Sequence, residues 1–95
     1  MNVSEVLRVV DQIIPLLADH GHPDKADWLV AKAALLRDPN LPEVRAWEIL
    51  HEFHRLVPGM GGLMDLWLTG PNDEEELGLR KFLRQFGDEL YDLTR

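Results

Sequence analysis

The run Pro58-Gly59-Met60-Gly61-Gly62, followed at once by Leu63-Met64-Asp65-Leu66-Trp67-Leu68, constrains this chain more than any other segment. Three glycines in four positions interrupt an otherwise helical pattern, and an apolar hexamer with a single carboxylate follows them. That much glycine beside that much apolar surface needs a geometric reason: a tight turn, a close approach of two backbones, or a ligand.

Net charge and motif bear on the ligand. A phosphate-cradling loop needs Gly-Lys-Ser/Thr after its glycines, and a dinucleotide fingerprint needs a strand before them. Neither is present, and Arg55 is the nearest cation. Close packing of the turn against a neighbouring helix, with Met60 as a plug, is the expected role. Asp65 is expected to cap the turn or to accept amides from Gly59, Gly61 and Gly62.

The flanking sequence reads as helices. Asn2 with Glu5 three residues on predicts a reciprocal capping box, and Val6, Val9, Val10, Ile13, Leu16 and Leu17 share one face. Pro15 falls on the polar side, so a bend is expected rather than a break, and Gly21 is a natural C-terminal cap. A second helix starts at Pro23, with Asp24 and Asp27 in its first turn, and stops at Asp38-Pro39. It has one apolar stripe of Ala26, Leu29, Val30, Ala33 and Leu36, and an opposite one of Trp28, Ala31 and Leu35. A third helix runs from Pro42-Glu43 to Pro58, with Ala46, Trp47, Ile49, Leu50, Phe53, Leu56 and Val57 as its core face. A fourth follows Thr69-Gly70-Pro71, with a second capping box at Asn72 and Glu75. Leu79, Phe82, Leu83, Phe86, Leu90 and Leu93 form its stripe, and Gly87 weakens its last turns.

Leu63 to Leu68 is too short for periodicity to separate strand from helix. A short helical turn or a buried irregular segment is favoured, because no strand partner exists elsewhere in the chain. A strand paired across a dimer is the alternative. The fold expected is all-α: one antiparallel bundle of about four helices spanning 1–95.

Composition narrows the function. Cysteine is absent, which removes disulfides, thiolate chemistry and zinc–sulfur sites. No apolar run approaches the roughly 18 residues of a membrane span, and Met1 to Glu5 lacks a basic-then-apolar leader, so a cytoplasmic protein is expected. A net charge of −7 argues against nucleic-acid binding and favours a cationic partner protein. Ser4, Thr69 and Thr94 sit in no nucleophile motif, so neither catalysis nor a cofactor is expected.

An up-down bundle brings the end of helix one, the start of helix two and the end of helix three to one pole. His20, His22, His51 and His54 then gather there beside the glycine turn. Imidazole is a metal ligand, so a metal- or small-ligand-binding pole is the alternative function. Glu48-Ile49-Leu50-His51 matches half of a di-iron helix pair but points outward, and His51 and His54 lack the four-residue spacing of zinc proteases. Trp28, Ala31 and Leu35 form the expected partner surface, either for another protein or for self-association. The core is the expected place for Trp47.

Gly59-Met60-Gly61, Asp65-Leu66 and Leu90-Tyr91-Asp92-Leu93 together resemble a family of small bacterial proteins of unknown function. That family has a Gly-Met-Gly turn, an Asp-Leu pair shortly after, and a Leu-Tyr-x-Leu ending. The resemblance covers the second half of the chain and implies a bacterial cytosolic protein. By analogy of fold, small acidic helical proteins of this sort include immunity- and antitoxin-like inhibitors.

Overall fold

The structure is a computed structural model that describes residues 2–58 and 61–95. Gly59 and Met60, and with them the expected Met60 plug, lie outside the described residues. Four helices follow one another: α1 (Val3–Asp19), α2 (Pro23–Arg37), α3 (Glu43–Leu56) and α4 (Asp73–Leu93). A 3-10 turn, Leu63–Asp65, lies between α3 and α4. The fold is an all-α bundle, and the apolar hexamer takes both favoured conformations in turn: a short helical turn over Leu63–Asp65, then an irregular segment in which Leu66 and Leu68 are buried.

Each start and stop has a local cause. Asn2 Oδ1 accepts from Glu5 N at 3.2 Å, and Asn72 Oδ1 accepts from Glu75 N at 2.9 Å. These are half-boxes rather than the reciprocal ones expected. Glu5 turns outward to Arg8 Nε at 3.1 Å instead of returning to the Asn2 amide. α1 is continuous through Pro15, which sits exposed, so the freed Asp11 carbonyl faces the side where water can take it up. Its end is a Schellman cap: Gly21 has φ +104°, and His22 N donates to Leu17 O at 2.8 Å. A Cβ on Gly21 would lie 3.3 Å from Thr69 Oγ1 as well as in a left-handed backbone. Gly21→Ala is therefore expected to cost about 1–2 kcal/mol. Urea unfolding should show a lower midpoint at an unchanged slope; an unchanged midpoint would contradict the cap.

The core comes mostly from the predicted faces. Val6, Val9, Val10, Ile13 and Leu17 of α1 are fully buried, against Leu29 and Ala33 of α2, Ile49 and Phe53 of α3, and Leu83 and Leu90 of α4. α1 packs most closely against α2 and α4. Arg8 meets Glu89 near one end of α1, while Thr69 N donates to His20 O at 3.0 Å at the other. α1 and α4 therefore run antiparallel. Asp11 accepts Arg37 Nη2 at 2.7 and 2.6 Å across α1 and α2, an exposed pair worth about 0–1 kcal/mol.

Three expected core residues lie outside. Val30 is 49% exposed, and Trp47 and Phe82 are each 54% exposed. Each sits roughly a quarter-turn from the centre of its stripe, since residues step about 100° around a helix. Trp47 follows Ala46 and precedes Ile49, and the neighbouring helices cover only the arc from Ala46 through Phe53. On α4 the covered arc is centred on Leu83, Gly87, Leu90 and Thr94.

α4 continues through Gly87 to Leu93. A Cβ there would lie 2.9 Å from Met64 Sδ, so the glycine is where the 3-10 turn seats on α4. Gly62 serves the other side of the same corner. Its Cβ would lie 2.5, 2.7 and 2.8 Å from the carbonyl oxygens of Pro58, Leu56 and Val57. The end of α3 folds directly over Gly62, and Met64 N donates to Val57 O at 3.3 Å. Of the three reasons for a glycine-rich run, close backbone approach is the one realised at Gly62.

Candidate functional site

The two apolar sides of α2 behave differently. Ala26, Leu29, Ala33 and Leu36 are buried, whereas Trp28 (37%) and Leu35 (39%) stay partly exposed, with Ala31 between them in the open. Trp28 is positioned rather than loose. Its ring meets Phe53 of α3 edge-to-face, with centroids 5.9 Å apart and planes at 72°. Lys32 Nζ lies 5.5 Å from the Trp28 ring and 2.9 Å from Glu52 Oε2. Glu52 Oε2 has no aligned hydrogen-bond donor, so Lys32 holds it as an ion pair. Two restraints, one aromatic and one cationic, fix the indole.

Beside the indole lies an open hollow of about 310 Å³, lined by Asp24, Lys25, Trp28 and Leu56. Its floor is apolar and its rim carries one charge of each sign. The hollow is open rather than enclosed, which suits a partner's apolar side chain better than a small ligand that must bury most of its surface. A smaller hollow of about 190 Å³ lies among Val3, Glu43, Ala46, Trp47 and Leu50. Trp47 there is exposed with Val44, which is 71% exposed.

The third tryptophan sits on a strap, residues 66–69, that runs past the start of α4. Trp67 Nε1 donates to Glu76 Oε2 at 3.2 Å, and Arg80 lies over its ring at 4.7 Å. Glu76 Oε1 accepts from Gly70 N at 3.1 Å. Its place in the first turn of α4, where the helix dipole already favours an acid, gives no sign in the sequence of these two bonds.

The histidines are divided between the two ends of α4. His20 Nδ1 bonds to Thr69 O at 2.8 Å, and His22 Nε2 bonds to Trp67 O at 2.7 Å. A carbonyl only accepts, so each ring nitrogen carries its proton there. His54 stacks on Tyr91 at 4.1 Å, and its Nδ1 lies 3.0 Å from Thr94 Oγ1. The Thr94 hydroxyl donates to Leu90 O at 2.7 Å, so His54 is again the donor. Thr69 precedes α4 and Thr94 caps its end, with roughly 30 Å of helix between them. The four-histidine pole is therefore not assembled. The end of α3 does face the first turns of α2, where Leu56 lines a hollow with Asp24 and Lys25, but His54 turns instead to the last turns of α4. Among the described residues no three metal-ligating side chains converge, and His51 is exposed on α3.

His20 and His22 instead tie the strap to the α1–α2 corner. His22→Ala should lower stability by about 1 kcal/mol and speed amide exchange at residues 66–69. Unchanged exchange there would contradict the tie. Asp65, the other polar residue singled out, accepts from Gly61 N at 3.3 Å and braces the turn.

No protein-family model matches the chain, and no curated protein or solved structure matches it. No helix among the described residues is long and apolar enough to cross a membrane.

Proposed function

We propose that this chain is a protein-binding module, and that its principal contact is the Trp28 hollow between α2 and α3. One observation carries the reading. Trp28 is held rigidly by Phe53 and by the Lys32–Glu52 pair, yet more than a third of it remains in water beside an empty apolar hollow. A fixed, half-exposed indole loses little entropy on binding, which is why tryptophan dominates interface energetics. The partner places an apolar side chain in the hollow.

The net charge of −7 favours a cationic partner and speeds its approach. On this reading the chain carries no catalysis and acts by occupying its partner, in the manner of an immunity or antitoxin protein. Taken with the resemblance to small bacterial proteins of unknown function, its place of work is a bacterial cytosol.

Capture from native lysate tests the reading. A stoichiometric protein, retained at low salt and released as ionic strength rises, is the expected result. Recovery of no stoichiometric protein at low salt would contradict it.

A further inference from the structure

The exposed face of α4 carries an order of residues that the fold does not use. Asp73, Leu77, Arg80 and Arg84 follow one another at alternating steps of four and three, the spacing of a helix-pairing seam. Glu74 and Lys81 flank that seam on one side. All of these residues are exposed except Arg80, which is partly covered by its place over Trp67.

The cations on this face are left without carboxylate partners. Arg80 has Glu76 four residues before it, the favourable spacing for an ion pair within a helix. Glu76 is committed instead to Trp67 Nε1 and Gly70 N. Among the described residues Arg80, Lys81 and Arg84 form no ion pair, and neither do the separate Lys25 and Arg55, whereas Arg8, Lys32, Arg37, Arg45 and Arg95 do. The three free cations surround a hollow of about 120 Å³ whose remaining wall is Leu77, itself 54% exposed. Three adjacent unpaired cations around an exposed leucine are out of keeping with a chain of net charge −7.

We infer that this face of α4 pairs antiparallel with the same face of a second copy of the chain, about a two-fold axis between Leu77 and Arg80. Charge order selects that occupant. The acids stand in the first turn of α4 and the bases in the next turns, so reversing one copy sets acid against base along the whole contact. Asp73 then faces Arg84 of the partner subunit, and Glu74 faces Lys81 of the partner subunit. The two-fold repeats both pairs, as an isologous contact must. In that register Leu77 lies against Arg80 of the partner subunit on either side of the axis, and covers the apolar stem of that side chain. A parallel pairing would place acid on acid. The contact is one helix wide, so the dimer is weak and salt-sensitive.

Sedimentation equilibrium at low salt, up to about 1 mM protein, tests this with charge reversal. Wild type is expected to dimerise. Glu74→Arg alone and Lys81→Glu alone are each expected to weaken the dimer by about tenfold or more, because each turns two attractions into repulsions. An equimolar mixture of the two variants is expected to recover a heterodimer, since every facing pair is then opposite in sign. Circular dichroism confirms that each surface variant is folded. A monomeric wild type at all concentrations overturns the inference, and so does failure of the mixture to associate. Trp28→Ala is expected to leave the dimer intact. Loss of the dimer in that variant would instead assign self-association to the α2 stripe and overturn the α4 contact.

Discussion

Gly62→Ala is expected to destabilise the fold by about 3 kcal/mol, a large share of the roughly 5–15 kcal/mol available to a domain of this kind. The backbone angles do not cause the loss, since Gly62 has φ −77° and ψ 177°, which alanine adopts freely. Space causes it. The added methyl would meet three carbonyl oxygens within 2.8 Å, all of them backbone at the end of α3. No side-chain rotation relieves such a contact. Either the last turn of α3 unwinds or the segment from Leu63 onward lifts off the core. Leu63 and Leu68 are both fully buried, so lifting exposes two leucines worth about 1.5–3 kcal/mol each. The expected drop in Tm is about 15 °C. A Tm within about 2 °C of wild type would show that the corner does not depend on close approach at Gly62.

Trp28→Ala is expected to weaken partner binding by about 2 kcal/mol or more, roughly 30-fold, while the protein stays folded. Truncation removes the wall of the hollow and the surface that the partner covers. It also removes the edge-to-face contact with Phe53, at a stability cost of about 1–2 kcal/mol. Trp47→Ala serves as the control, since Trp47 is more exposed and lines a different hollow. Its binding loss is expected to be small. Equal losses for the two variants would remove the special role of the α2–α3 hollow.

The helix ends were legible because each is marked by local chemistry. Asn2, Gly21, Pro23 and Asn72 act within a few residues of their own position, so sequence neighbours suffice to place them. The buried face of α1 was legible because it is covered on both flanks, by α2 and by α4. Trp47, Val30 and Phe82 were misplaced because a helical wheel gives the angle of a residue but not the width of the arc its neighbours cover. α3 packs against α2 and α4 more thinly than α1 does, and its covered arc stops short of Trp47.

The histidine pole failed on an axial offset. Chain order brings the end of α3 back beside the start of α2, but it says nothing of how far α3 slides along α4. His54 lands beside Tyr91 and Thr94, one turn along from where Val57 packs against Gly87. Glu76 shows the same limit on a smaller scale. An acid in a first helical turn already has a sufficient reason to be there, and that reason hides its bonds to Trp67 and Gly70.

Amide hydrogen exchange of the chain alone and in complex with its captured partner tests the central claim most directly. The account predicts that binding slows exchange at residues 24–35 of α2 and at the end of α3 around Leu56, with α4 near Lys81 unchanged. Protection confined to α4 or to the Trp47 end, with residues 24–35 exchanging as in the free protein, would contradict it.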